Sequence, residues 1–473
     1  MMFSKKHITI LCLIGMLFLL AACASYYEKN IILMQAVYAG KLDVAESILN
    51  DPKLEKEKKN ILLYYLNKGT ILWMNEKPVE SNRYFQLADF YVEDFHKNYA
   101  ASAISLLTNP NVEPYHGEGF EQILLHYYST LNYIDLGLFD DALIECKRMQ
   151  QKLIKITDFY SGKNKYKRDA FSHNLMGIIY DAQKDYNNAF IAYRNAYEIY
   201  RDDYQSILGT SIPLQLKKDI IRTAFLTGFT EEAQKYESDF KIKYEPLNPE
   251  FGSLVFFWNN GLGPIKDQWS INFIIMPLQK GWVRFYNTEL NLSFDFYVGE
   301  DDKKKNSLSQ LKVVRVAFPK YISRRPLYMH GILSCDSLSI SSNLEVGEDI
   351  NAIAFRSLED RRLKELGEAL LRVALKQVAE VELRKQNEGA GMVLSIINAA
   401  TEQADTRNWQ LLPYSINYTR INIPAAFHKI SLVTSSANNS INERNEFSFL
   451  IKKGETTFGS FQTLQFDGFS NFK

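Results

Sequence analysis

The sequence is short of the features by which most binding and reaction centres announce themselves. Its 473 residues carry 55 basic and 55 acidic side chains. No basic excess is left to neutralise a phosphate backbone, which argues against nucleic acid as a partner. The seven histidines include no H-E-x-x-H pair and no cluster at metal-ligand spacing. There is no G-x-S-x-G elbow, phosphate-binding loop or dinucleotide fingerprint. No cofactor and no enzymatic reaction are therefore expected. Cysteine is scarce, with four in all. Cys12 and Cys23 lie near the N-terminus, and Cys146 and Cys335 stand far apart. The latter two read as isolated buried thiols, a disulfide being the other arrangement an oxidising compartment permits. Beyond the N-terminal segment no run reaches transmembrane length.

The N-terminus is the first positive signal. Lys5, Lys6 and His7 precede a nearly unbroken apolar run from Ile8 to Leu20. A charged segment followed by a short apolar one is the layout of a secretory signal, and the run is too short to span a bilayer. It stops at Ala21-Ala22-Cys23. Leu20-Ala21-Ala22-Cys23 resembles the lipobox of bacterial lipoproteins. The resemblance implies removal of residues 1–22 and a diacylglycerol on Cys23, with residues 23–30 as a lipidated tether. Acyl chains anchor by burying CH₂ groups at about 0.8 kcal/mol each. Ala24 replaces the Asp that would favour inner-membrane retention, so the expected location is the outer membrane, facing the periplasm. Loss of two lysines leaves 53 basic and 55 acidic groups in the mature chain.

The first half repeats itself. In "SHNLMGIIYDAQKDYNNAFIAYRNAYEIY", Gly177 is followed by Tyr180, Ala189, Tyr193 and Ala196. A small Gly177 lets two helices approach closely, Ala189 and Ala196 face that contact, and the tyrosines fill the space between repeats. The pattern resembles the tetratricopeptide (TPR) repeat, a pair of antiparallel helices. Related spacings recur around Gly40 and Ala45, around Gly69, Ser81, Phe85 and Ala88, around Gly137 and Ala142, and around Gly228 and Ala233. The resemblance implies a helical solenoid over residues 31–245, interrupted near Phe90 to Gly119. In such arrays the first helix of each pair lines a concave groove. Trp73, Tyr127, Asn174 and Asp181 are thus expected to face a protein partner, the alternative being a core Trp73 and a solvated Asp181.

After Pro246 and Pro249 the periodicity changes. "GSLVFFW", "WSINFIIM", "LKVVRVAF", "YTRINI", "KISLVTSS", "FSFLIKK" and "QTLQF" read as strands. Between them, Leu363, Leu366, Leu370, Val373, Ala374, Val378 and Val381 recur every three or four positions, which predicts a long helix over Leu358 to Asn387. "MVLSIINAA" suggests a further short core helix, the alternative being one that dips into a membrane or binds a partner. The expected fold is α+β: a TPR-like α-solenoid, then a β-rich domain over 250–473 with a long covering helix.

Few residues invite chemistry. "EQADTRNWQLLP" sets Asp405, Arg407 and Trp409 together, as an ion pair beside a packed indole or as the lining of a pocket. His116 and Glu118 read as a loop leading into a helix at Phe120. "NNGLGPIK" reads as a glycine turn presenting Lys266. The stretches "PYHGEGFEQILLHYYSTLNYIDLGLFDDALIE", "NNGLGPIK" and "EQADTRNWQLLP" together resemble a group of uncharacterised bacterial lipoproteins with TPR repeats. That resemblance implies an envelope protein without a known reaction, with an aspartate, an arginine and a tryptophan at the places of Asp405, Arg407 and Trp409. The expected function is a lipid-anchored periplasmic scaffold that binds a protein partner; by resemblance, some repeat-bearing outer-membrane lipoproteins activate cell-wall synthases. The rival is a carbohydrate or peptide receptor, which clustered exposed aromatics would favour given the 13% aromatic content. A third is a hydrolase drawing on Asp405 and His428.

Overall fold

The computed structural model describes residues 30–99, 113–159, 166–297, 313–386 and 403–467. Cys23 and "MVLSIINAA" lie outside them. The chain is α+β, with a helical first half and a β-rich second half.

The helical half runs through α1 (Ile31–Tyr38), α2 (Leu42–Ile48), α3 (Pro52–Lys56), α4 (Ile61–Met74), α5 (Pro78–Tyr99), α6 (Gly119–Asp135), α7 (Phe139–Phe159), α8 (Ala170–Ala182), α9 (Tyr186–Ile199), α10 (Leu214–Leu226) and α11 (Thr230–Phe240). A π turn, Tyr200–Tyr204, extends α9. Five turns between successive helices share one construction. Gly40, Glu76, Gly137, Lys184 and Gly228 each adopt positive φ. In each, the next N–H bonds the carbonyl five residues back: Lys41 to Ala36, Lys77 to Leu72, Leu138 to Tyr133, Asp185 to Tyr180, Phe229 to Ala224. This closes a helix C-terminus, leaving its last carbonyls satisfied.

The glycines singled out in the sequence therefore do two different jobs. Gly40, Gly137 and Gly228 are turn residues, equivalent to Glu76 and Lys184 rather than to Gly177. Gly69 and Gly177 stand seven residues before their turn residue, inside a helix. A Cβ on Gly69 would lie 2.8 Å from the Phe85 ring, and one on Gly177 would lie 2.4 Å from the Tyr193 ring. Glycine is there because an aromatic ring occupies the space of its missing side chain.

Among the described residues, twelve strands form three four-stranded sheets. The first holds, in spatial order, β12 (Thr456–Gln462), β1 (Phe251–Asn260), β9 (Ser415–Pro424) and β8 (Glu345–Asp349). The second holds β11 (Asn442–Leu450), β10 (Phe427–Ser435), β6 (His330–Cys335) and β7 (Ile340–Asn343). The third holds β4 (Leu292–Tyr297), β3 (Trp282–Asn287), β2 (Ile265–Pro277) and β5 (Val313–Ile322). "QTLQF" mostly follows β12 instead of forming a strand.

The first sheet has helices on one face and the second sheet on the other. Phe256 and Trp258 of β1 join Leu333, Ile430 and Leu432 in one core, while Val255 and Phe257 join the helices in another. Burial on both faces explains why "GSLVFFW" is apolar without alternation. The third sheet buries Phe273, Ile275, Phe285 and Val316 in the same core as Leu366 and Leu370 of α12 (Ile350–Gln386). That helix begins eight residues before the start read from its apolar stripe. Asp349 caps it by accepting from the Ala352 N–H at 2.8 Å, and its first turn is buried through Ile350, Ile353 and Ala354.

Candidate functional site

The residues expected to face an open groove are all buried within the chain. Tyr127 is fully buried, and its hydroxyl donates to Asn259 of β1 at 2.8 Å. Its neighbour Tyr128 donates to Gln462 of β12 at 3.2 Å. Trp73 is buried edge-on against Tyr128, with ring centroids 5.0 Å apart. Asn174 is fully buried beside Tyr418 of β9. Asp181 is buried in an ion-pair network rather than solvated. The expectation that these four side chains meet an external partner is therefore corrected: all four are buried, Tyr127, Asn174 and Asp181 against β1 and β9 of the first sheet and Trp73 against Tyr128.

Asp181 shows how that covering is made specific. Arg222 of α10 bonds it through two nitrogens, and Arg420 of β9 reaches it at 2.6 Å. Arg222 and Arg420 also approach Asp219 at 2.8 and 3.4 Å. Two carboxylates and two guanidinium groups thus neutralise each other across the seam. Burial would raise the Asp181 carboxyl, but Arg420 and Arg222 outweigh it and hold the value at about 2. Charges buried this way stabilise only as a set; removing one partner leaves the others uncompensated.

The three sequence stretches with a shared resemblance meet at a second node. "PYHGEGFE" supplies the start of α6, "NNGLGPIK" the start of β2, and "EQADTRNWQLLP" the segment before β9. Glu121 reaches back to the Glu118 N–H at 3.0 Å, as in a capping box. The same carboxylate accepts from the Tyr115 hydroxyl and the Trp409 N–H, both at 2.6 Å. The Glu118 side chain takes Lys266 and Arg361 of α12 as partners, all three buried. These two cations overcome burial and hold Glu118 well below the usual carboxylate range. Glu121 lacks a cation. Burial, then the charge of Glu118, raise it to about 7 despite its three donors.

Asp405, Arg407 and Trp409 close this node instead of lining a pocket. Arg407 forms a two-pronged bond to Asp405 at 2.9 and 2.6 Å and donates to the carbonyls of Lys59 and Glu113. Its guanidinium lies over the Tyr115 ring, 5.3 Å from the centroid. The Trp409 indole N–H donates to Thr70 of α4 at 3.1 Å. Arg407 and Trp409 are buried, and Asp405 is half-buried. His428 is elsewhere, on β10, its ring against the Pro424 carbonyl; the structure does not bring it together with Asp405.

A third contact was not visible in the sequence. The π turn aims Tyr200 at the Gly347 carbonyl and Tyr204 at the Glu348 carboxylate, across the bulge in β8. Glu348 is buried with Asp169 as an electrostatic neighbour, and burial, then Asp169, push it well above its ordinary value. Irregular helix turns and bulges re-aim side chains at such places. Cys146 and Cys335 are free and buried, and burial raises the Cys146 thiol to about 12. Among the described residues, no group of three or more His, Cys, Asp or Glu is placed to hold a metal ion, and no helix is long and apolar enough to cross a membrane.

No protein-family model matches the chain, and no curated protein matches it in sequence. Among solved structures it is similar to one described as the crystal structure of MamA protein. The identity is 13%, over 46% of this chain and 96% of that one, with a TM-score of 0.28. An overlap that low says nothing about function.

Proposed function

We propose that this chain is a lipid-anchored interaction scaffold of the bacterial cell envelope, built on TPR-like helix pairs and held at the outer membrane, facing the periplasm, by a diacylglycerol on Cys23. The observation that carries the scaffold reading is the repeated turn. Five helix ends close with the same hydrogen bonds, and two of the pairs pack an aromatic ring into a glycine gap. Stacked pairs of that kind contact mainly their neighbours and present an extended surface suited to binding. The anchor reading rests on Leu20-Ala21-Ala22-Cys23 and the apolar run before it. The inner face is closed by the first sheet, so a protein partner in envelope or cell-wall assembly has to meet the outside of the array. Val79 of α5 and Ile154 of α7 are well exposed there, at 63% and 59%.

Photo-crosslinking in intact envelopes tests this. A crosslinker at Val79 or Ile154 should trap one discrete protein, and one at Tyr127 should trap none. Capture from Tyr127 alone would show that the halves separate and that the inner face is the binding face.

One observation favours the second reading, a carbohydrate or peptide receptor. On the open face of the third sheet, Trp282 and Tyr297 are exposed with ring centroids 5.7 Å apart, beside the Arg284–Asp295 ion pair at 2.7 Å. Aromatic rings next to fixed polar groups suit sugar rings, which have an apolar face and a hydroxyl edge. Glycan recovered with the parent chain, and lost on Trp282→Ala, would favour this reading over the scaffold.

A further inference from the structure

One stretch of the seam between the halves is held by β8, which pairs with β9 on one side only and directly precedes α12. Glu345 of β8 accepts from the Leu214 N–H at the start of α10 at 2.7 Å. The Gly347 carbonyl accepts from the Tyr200 hydroxyl at 2.6 Å. The Tyr204 hydroxyl lies 3.2 and 3.1 Å from the two oxygens of Glu348. Gly347 also sits on Phe171: a Cβ there would lie 2.8 Å from that ring. Phe171 in turn packs on Tyr127, with ring centroids 5.8 Å apart. β8 is thus the part of the sheet that covers this end of the inner aromatic face.

Glu348 is 2% exposed and its neighbour Asp169, before α8, is 4% exposed. Among the described residues neither carboxyl has an ion-pair partner. The cations on the surrounding elements are committed elsewhere: Arg168 to Asp203 at 2.8 Å, Arg201 to Asp202 at 2.7 Å, Arg356 of α12 to Asp360 at 2.8 Å, and Arg420 of β9 to Asp181 at 2.6 Å. The other acids of β8 cap helices, Glu345 that of α10 and Asp349 that of α12. Two neighbouring carboxylates closed off from water and from any cation do not both stay ionised. Asp169 has the better claim to the charge. It caps α8 at the positive end of the helix, accepting from the Ser172 N–H at 2.7 Å, and it takes the Tyr166 hydroxyl at 2.9 Å. Glu348 has only Tyr204, whose ring centroid is 6.2 Å from that of Tyr166. With the proton on Glu348, each hydroxyl points toward the one ionised group: Glu348 to Tyr204, Tyr204 to Tyr166, and Tyr166 to Asp169. Burial, then the charge of Asp169, raise the Glu348 carboxyl in the same sense.

We propose that Glu348 makes the joint between β8 and the π turn a pH-sensitive latch, closed while this carboxyl keeps its proton and released when the proton is lost, because a second negative charge reaches water only if β8 moves away. Release uncovers Phe171 and the surface leading to Tyr127. The direction follows from linkage. A carboxyl raised in the fold stabilises it fully below the ordinary value of 4.5, and that stabilisation is lost as pH rises above it. The latch needs neither the lipid anchor nor a protein partner, so its failure would leave the scaffold reading untouched.

Backbone hydrogen exchange of the full chain tests this, read by mass spectrometry in peptides covering 200–204 and 345–349, with the intrinsic pH dependence of exchange divided out. An opening that releases one proton lowers protection roughly tenfold per pH unit, and the parent should show that slope from about pH 5 to about pH 8. Glu348→Gln should abolish the slope, whatever it does to the absolute protection, and Glu121→Gln should leave it unchanged. A flat profile in the parent, the same slope in Glu348→Gln, or a slope lost in Glu121→Gln would each overturn the proposal. Infrared spectra of Glu121→Gln at neutral pH read the proton directly. A protonated-carboxyl band is expected, and its absence would overturn the proposal without requiring the Glu348 variant to fold.

Discussion

Replacing Gly177 with alanine is the sharpest test of how the helix pairs are packed. The added Cβ would lie 2.4, 2.5 and 2.9 Å from Cδ1, Cε1 and Cγ of Tyr193. Carbon atoms rest at about 3.5–4.0 Å, so the ring has to retreat by roughly 1 Å. It has nowhere to go. Tyr193 is fully buried, and its hydroxyl lies 3.4 Å from Asp181 and 3.3 Å from Arg420. The clash involves the body of the ring, not a flexible tip. Overpacking of this kind costs about 1–3 kcal/mol, and the upper part of that range applies. Alanine gains about 1 kcal/mol over glycine inside a helix. The net expectation is a loss of about 1–2 kcal/mol. In a Tyr193→Leu background the obstacle is gone, and Gly177→Ala should stabilise by up to about 1 kcal/mol. The two changes should therefore couple by about 2–3 kcal/mol in a double-mutant cycle. Urea denaturation of the purified chain, followed by intrinsic fluorescence, reads all four proteins. If Gly177→Ala is neutral or stabilising while Tyr193 is intact, the ring does not fill the glycine gap and the packing argument fails.

Three further outcomes follow from the same contacts. Glu121 holds its proton to about pH 7 in the fold, against an ordinary value of 4.5. Its contribution is complete below pH 4.5 and is lost as pH rises through 7, by about 3 kcal/mol; the stability of the parent relative to Glu121→Gln should fall across that window, and a pH-independent difference refutes the assignment. Arg420→Met leaves Asp181 and Asp219 to share Arg222, and should cost about 3 kcal/mol in the same denaturation assay; a cost below about 1 kcal/mol would mean that the network does not hold the halves together. Cys23→Ser should move the protein from the membrane fraction to the soluble one, and retention through a salt wash would rule out the lipid anchor.

Much of the architecture could be read from local pattern because local pattern causes it. Gly177, Ala189 and Tyr193 mark a helix pair because close approach needs a small residue opposite a ring. The alternation in "LKVVRVAF" marks a sheet with one buried face. What could not be read was the relation between the halves. Tyr127 has the spacing of a groove residue whether the groove is open or filled, and only the position of β1 decides. Asp405, Arg407 and Trp409 stood out as a cluster, and the ion pair beside a packed indole is the arrangement the structure contains. Their partners Lys59, Glu113, Glu121 and Thr70 are hundreds of residues away, where no spacing points to them. Glu348 gave no signal at all, because a buried carboxylate met by tyrosines looks in sequence like any surface acid. Two types of glycine were merged for a related reason: a turn residue with positive φ and a packing residue under a ring are the same letter.

The pairing of β12 with β1 has a bearing on how the molecule is assembled. The two strands run parallel, Ser253 beside Thr456 through Asn259 beside Gln462. About two hundred residues are threaded between them, and closing a loop of that size costs roughly 5 kcal/mol before any contact is repaid. β12 also completes the cover of the helices, through Gln462 on Tyr128 and Phe458 on Phe139 at 5.8 Å. A chain emerging from its N-terminus makes the helical half first, with that part of its aromatic face bare. Protection comes only when residues near 460 arrive and dock beside a strand finished long before. Docking β12 is therefore expected to be a late and slow step of folding, and the interval before it is when the uncovered tyrosines are open to association with other chains.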